Sequence, residues 1–198
     1  EWLVAEETEA RKSTRKEEAE ASDVEKEQGV DTALGDVKGR IKEKTVASGM
    51  GGGPKKSRVY GSSRRRDITP INESIRLCKL RDKLGITAFK FRVGSECGRD
   101  KDEWEGRSKE IVKTLSRDLG NKVDKLVDGN SCFSPESAIE LGKFMQDFGI
   151  SHFEEPCPYW EHDQTKVVKE ALEIDVAGGE QDCEMPIWKS TLEKRIVD

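Results

Sequence analysis

The chain has 198 residues and a formal net charge of −5, with 38% charged and 33% hydrophobic residues. That length predicts one domain with room for a small appendage, and the acidic balance offers no general attraction to nucleic acid or to an anionic membrane. Five widely spaced cysteines (Cys78, Cys97, Cys132, Cys157, Cys183), no CxxC pair, no membrane-length apolar run and no signal-peptide core in residues 1–20 predict a soluble cytoplasmic protein without disulfide framework or zinc site.

Residues 5–28 alternate acidic and basic side chains, a composition that favours a solvated helix or disorder over a packed element. A weakly amphipathic helix is expected over 30–44, where Val30, Leu34, Val37 and Ile41 recur at helical spacing. The glycine cluster 49–53, ending at Pro54, reads as a linker. A phosphate loop here would need a GK[ST] ending and a preceding strand, and has neither.

From Arg58 the pattern changes to alternating strands and helices. Strands are predicted at 58–61, 88–93, 123–127, 150–154 and 174–178, with helices at 70–84, 102–119, 134–148 and 162–172. Ser134 precedes a proline at the first helical position, and Gly85, Gly120 and Gly149 each stand just past a helix. Strands alternating with helices of this length imply parallel β/α units.

Five such units suit either a doubly wound sheet or part of a (β/α)₈ barrel. Lys90, Asp128, Glu154 and Glu180 all fall in strands or at their C-terminal ends, where barrel active sites are built. The stretch RVYGSSRRR after the first strand is not a nucleotide-binding glycine fingerprint. The barrel is the better reading, and Arg64–Arg66 becomes a solvated loop.

Asp128, Glu154 and Glu180 are each 26 residues apart, which predicts three carboxylates at matching heights on consecutive strands. Three converging carboxylates repel unless a cation joins them, and oxygen ligands suit a hard ion such as magnesium. Other residues receive plainer expectations: His152 as a hydrogen-bonded structural histidine, His162 on an exposed helix face, the cysteines as small packing residues, and Trp160 as a possible wall of the pocket. The run HFEEPC lacks the second cysteine of a zinc deaminase signature.

The segments FKFRVG (89–94), LVDGN (126–130), HFEEPCP (152–158) and VAGGEQD (176–182) stand in an order that resembles the enolase superfamily, in its mandelate racemase and muconate lactonizing enzyme branch. DTALGDVKGRIKEKTV (31–46) and GGGPKKSRVYGSS (51–63) look like that family's junction between capping helices and first barrel strand. The resemblance implies a TIM (β/α)₈-type barrel, partial over about its first five β/α units at 57–198. Residues 1–56 would be a charged segment with a remnant capping helix and a glycine-rich linker. A complete barrel needs about 250 residues, so strands six to eight, and the aspartate–histidine base the family carries there, are not expected in this chain. Gly35 stands where the family usually has a large aromatic residue.

By the same resemblance Asp128, Glu154 and Glu180 hold magnesium at the ends of strands three, four and five. Lys90 and Arg92 occupy the family's Lys-x-Lys pair. The implied chemistry is magnesium-dependent removal of the proton α to a carboxylate, with Lys90 holding a carboxylate oxygen of a small sugar acid. An arginine is a poor general base, so Arg92 favours a sugar-acid dehydratase over a two-base racemase. Racemisation or epimerisation, cycloisomerisation, and a non-catalytic metal-binding fragment are the alternatives. The full-length parent is expected to be a homo-oligomer.

Overall fold

The computed structural model describes residues 29–53, 56 and 58–198; the alternating charged run over 5–28 and Pro54 lie outside them. The chain divides into two units, Glu1–Ser57 and Arg58–Asp198. In the first, helix α1 (29–41) is followed by the short α2 (Val46–Gly49), whose cap is Thr45, accepting the Ser48 N–H at 3.1 Å. Val30, Leu34, Val37 and Ile41 line α1 at the expected spacing and are all exposed. The glycine cluster therefore begins inside a helix, at Gly49, rather than wholly as linker.

The second unit contains β1 (Gly61–Ser62), α3 (Pro70–Leu84), β2 (Ala88–Arg92), α4 (Arg107–Leu119), β3 (Asp124–Asp128), α5 (Pro135–Asp147), β4 (His152–Glu154), α6 (His162–Ala171), β5 (Asp175–Ala177) and α7 (Met185–Lys194). All strand pairs are parallel and the order is β1-β2-β3-β4-β5. A doubly wound sheet reverses its order at a switch point; this one never does, which is the winding of a barrel wall. The five predicted units are present.

Several elements differ from expectation, strand four among them, which is His152–Glu154 rather than 150–154. Strand one shrinks from 58–61 to Gly61–Ser62. Helix α4 starts at Arg107 rather than 102, because the Asp102 carboxylate turns back to accept the Ser108 N–H at 2.7 Å and its hydroxyl at 2.8 Å, satisfying the helix start from outside. Helix α7 was not predicted. The cap at Ser134 is as expected, accepting the Ser137 N–H at 3.4 Å.

Strand alternation decides where the core lies. Phe89, Phe91, Val127, Phe153 and Val176 take one face of the sheet and are fully buried in the main hydrophobic cluster. Ile111, Val112 and Leu115 of α4 and Ala138, Leu141 and Met145 of α5 join the same cluster. Burying each phenylalanine contributes about 1.5–3 kcal/mol. The intervening residues, Lys90, Arg92, Asp128 and Glu154, are thereby turned to the opposite face, which in a barrel is the interior. The apolar half of each strand thus aims the polar half.

Candidate active site

The strand register sets three functional side chains at one level. Arg92 is opposite Asp128, and Asp128 is opposite Glu154. Two residues earlier on β2, the Lys90 ammonium reaches across to Glu154 Oε2 at 2.6 Å and faces Asp128 Oδ2 at 3.2 Å. Its Nζ also lies 5.8 Å from the ring centroid of Tyr60. Burial works against the charge on Lys90, but the hydrogen bond to Glu154 and the neighbouring charges of Asp128 and Glu154 outweigh it, and the pKa is raised. Lys90 is a fixed cation.

Arg92 donates from Nη1 to Asn130 Oδ1, and its Nη2 lies 3.7 Å from Asp128 Oδ2. Asp128 Oδ1 accepts the Asn130 N–H at 2.9 Å, whereas Oδ2 is buried and makes no hydrogen bond. Asn130, Ser131 and Glu155 all have positive φ, so the loops leaving β3 and β4 carry backbone strain beside the carboxylates.

Glu180 is placed differently from the expectation. Glu154 pairs in register with Ala177, so Glu180 lies three residues beyond the level of Asp128 and Glu154. Equal sequence spacing did not give equal height because α6 has ten residues against thirteen in α5, and β5 begins correspondingly sooner. Gly178 and Gly179 carry the chain past the strand end. Gly179 has φ +100°, and a Cβ there would stand 2.6 Å from the Trp188 ring, so this turn needs glycine. The Glu180 charge still reaches the centre. Burial first, then the charges of Glu180, Asp128 and Glu154, push the Glu155 carboxyl up to about 7.

Glu155, next to Glu154, is the more deeply buried of the two, and its Oε1 has no hydrogen-bond partner. The buried, unpartnered Glu155 Oε1, and Asp128 Oδ2, which makes no hydrogen bond and is faced by Lys90, are carboxylate oxygens of the kind that magnesium prefers. Among the described residues no three acidic, histidine or cysteine side chains are gathered tightly enough to hold one ion. The Lys90 ammonium is the positive charge that Asp128 and Glu154 share here.

His152 behaves as a structural residue, with Nδ1 at 2.9 Å from the Ser151 hydroxyl and Nε2 at 3.4 Å from Asp175. His162 is half-buried against Asp182 rather than freely exposed, at 3.4 Å. The cysteines are not uniformly packing residues: Cys132 and Cys157 are buried, Cys78 is intermediate, and Cys97 and Cys183 are exposed. Trp160 lines a groove with Cys97, Arg99 and Phe133.

Sequence reasoning missed Asn130 and Arg66. Against the expectation of a solvated basic loop, Arg66 is half-buried and donates from Nη2 to the same Asn130 oxygen that Arg92 uses. The available signals were position alone: Arg66 just past strand one, and Asn130 two residues past Asp128.

A parallel barrel wall with carboxylates and a lysine at the C-terminal ends of adjacent strands is the arrangement in which barrel active sites are built. The chain belongs to the enolase C-terminal domain-like family, whose model matches residues 73–198. It is 30% identical over 178 residues to an arabinonate dehydratase from Saccharolobus solfataricus, an alignment covering 86% of this chain and 44% of that protein. A solved structure from Roseobacter denitrificans, described provisionally as a racemase, is 55% identical with a TM-score of 0.83, covering 86% of this chain and 46% of that one. An enolase from Bradyrhizobium, solved with magnesium and mandelic acid, shares the fold at 22% identity and a TM-score of 0.73, covering 86% and 45%. The chain therefore spans less than half the length of each of these relatives.

Proposed function

We propose that this chain forms the metal-binding half of an enzyme that removes the proton α to the carboxylate of a sugar acid and eliminates water from the neighbouring carbon. One observation carries the reading: the buried cluster at the C-terminal ends of adjacent strands, in which the Lys90 ammonium lies 2.6 Å from Glu154 and 3.2 Å from Asp128. The dehydratase activity of the Saccharolobus relative supports it.

Asp128, Glu154 and Glu180 would hold magnesium, with Glu155 as an adjoining acid. Bound magnesium supplies Lewis-acid stabilisation of the charge that develops on the substrate carboxylate. Lys90, kept protonated by its two carboxylates, adds a second positive charge at the same end and orients an oxygen of that group. As the α-proton leaves, the electron pair moves toward the carboxylate. The β carbon–oxygen bond then breaks, the hydroxyl departs with a proton as water, and the enol product becomes a 2-keto acid. Arg92 is engaged with Asn130 and Asp128 and is a poor proton acceptor. The accepting base is therefore a group other than Arg92.

The Roseobacter likeness favours racemisation as the second reading. Manganese titration followed by electron paramagnetic resonance tests the metal: a single site is expected, lost in Glu154→Gln, and a site retained in that variant removes Glu154 from it. Incubating sugar acids with magnesium in deuterated water separates the reactions. Formation of a 2-keto acid is expected; an epimer carrying solvent deuterium, with no keto acid, overturns dehydration in favour of racemisation.

A further inference from the structure

We infer that Trp188, on helix α7, is the positioning residue for Glu180: its indole clamps the turn that carries this carboxylate. The inference rests on the function proposed above, in which Glu180 is a magnesium ligand, and says what places that ligand.

Glu180 differs from Asp128 and Glu154 in what holds it. Those two end strands, and the ladder sets them opposite each other. Glu180 lies beyond β5 and is exposed. Among the described residues its carboxylate makes no hydrogen bond or ion pair. Its place therefore depends on the backbone of Gly179–Asp182, a turn closed by the Asp182 N–H, which donates to the Gly179 carbonyl at 3.0 Å.

Trp188 grips both ends of that turn. Its Nε1–H donates to the Asp182 carbonyl at 3.0 Å. The far edge of the indole lies so close to Gly179 that a Cβ there would stand 2.6 Å from Cη2 and 3.1 Å from Cζ2. One rigid, planar side chain thus touches the residues on either side of Glu180 and Gln181. His162 adds a lesser hold from α6, with Nε2 3.4 Å from Asp182 Oδ2. Trp188 is 36% exposed, so filling the core is not its role; its single polar atom goes to the turn.

A clamp fixes a turn only if it is itself fixed. Trp188 stands in the first turn of α7, its own N–H donating to the Glu184 carbonyl at 3.2 Å. Beyond α7 the chain returns to β5, where the Asp198 N–H donates to the Val176 carbonyl at 2.9 Å and Asp198 Oδ2 accepts the Val176 N–H at 2.9 Å. Buried Thr191 and Ile196 seat the stretch between. The helix is tied to β5 at both ends, and Glu180 rides on one of the two ties.

Manganese titration of the whole chain, followed by electron paramagnetic resonance, tests this in a cycle of native protein, Trp188→Phe, Glu180→Gln and the double variant. Trp188→Phe removes the indole N–H and shortens the ring; because the position is partly exposed, the fold should survive it. Manganese binding should weaken by ~10-fold, the scale on which groups that orient a metal ligand act. In the Glu180→Gln background the same change should move the dissociation constant by less than about twofold, because its route to the metal is gone. Unchanged binding in Trp188→Phe overturns the inference. So does an equal loss in both backgrounds, which general loosening of the fold would give. Both results leave the proposed function standing when Glu180→Gln alone weakens binding. Full-strength binding in Glu180→Gln overturns Glu180 as a ligand and the inference with it, and leaves Glu154 to its own variant. Absence of manganese binding in the native protein overturns the inference together with the proposed function.

Discussion

Lys90→Met isolates the electrostatic core of the site. The Lys90 side chain is 7% exposed and sits between Asp128, 1% exposed, and Glu154, 20% exposed, at 3.2 and 2.6 Å. Removing one partner from a buried ion cluster costs about 3–5 kcal/mol, because the remaining charges are left uncompensated. The partial exposure of Glu154 places the metal-free variant near the lower end, at about 3 kcal/mol. For a barrel unit of this size that lowers Tm by about 10 °C. Magnesium should narrow the gap. Its attraction to two carboxylates is stronger once the ammonium no longer competes, and binding at about a hundredfold excess over Kd stabilises by ~2.7 kcal/mol. The assay is thermal unfolding of native protein and Lys90→Met by circular dichroism, with and without magnesium. An equal Tm drop in both conditions would show that Lys90 and the metal do not share these carboxylates. No drop at all would show that the cluster is solvated rather than buried.

Two further outcomes are expected. Gly94→Ala should destabilise by about 2–4 kcal/mol in urea unfolding, since φ there is +63° and the new Cβ would stand 2.5 Å from Cys132 Sγ and 2.9 Å from its Cβ; an unchanged urea midpoint would mean that the loop repacks freely. Cys157, whose thiol burial pushes up to about 12, should stay silent to a thiol reagent at mildly alkaline pH until denaturant is added, while exposed Cys97 and Cys183 are labelled in the folded protein. Rapid labelling of Cys157 in the native state, read by peptide mass, would contradict its burial against the sheet.

Much of the architecture was legible from the chain itself because it depends on local chemistry. The helix expected over 70–84, with Gly85 just past it, keeps both limits as Pro70–Leu84. The alternation in AFKFR told which side chains pack and which are free to act, since a strand sends neighbours to opposite faces. Asp128 and Glu154 could be paired because each ends its own strand.

Other features depended on groups brought together from far along the chain. The start of α4 was set by the Asp102 carboxylate folding back on Ser108, a contact that periodicity does not record. The level of Glu180 followed from the shorter α6 and from register, neither of which equal spacing reveals. Arg66 read as solvated because basic runs usually are; only the sheet, by laying strand one beside strand two, brought it to Asn130, 64 residues further along the chain. Sequence fixes which residues can be buried or charged within one element. Which charges must share a buried acceptor is decided by tertiary packing, because electrostatic cost depends on distance and solvent exposure rather than on order along the chain.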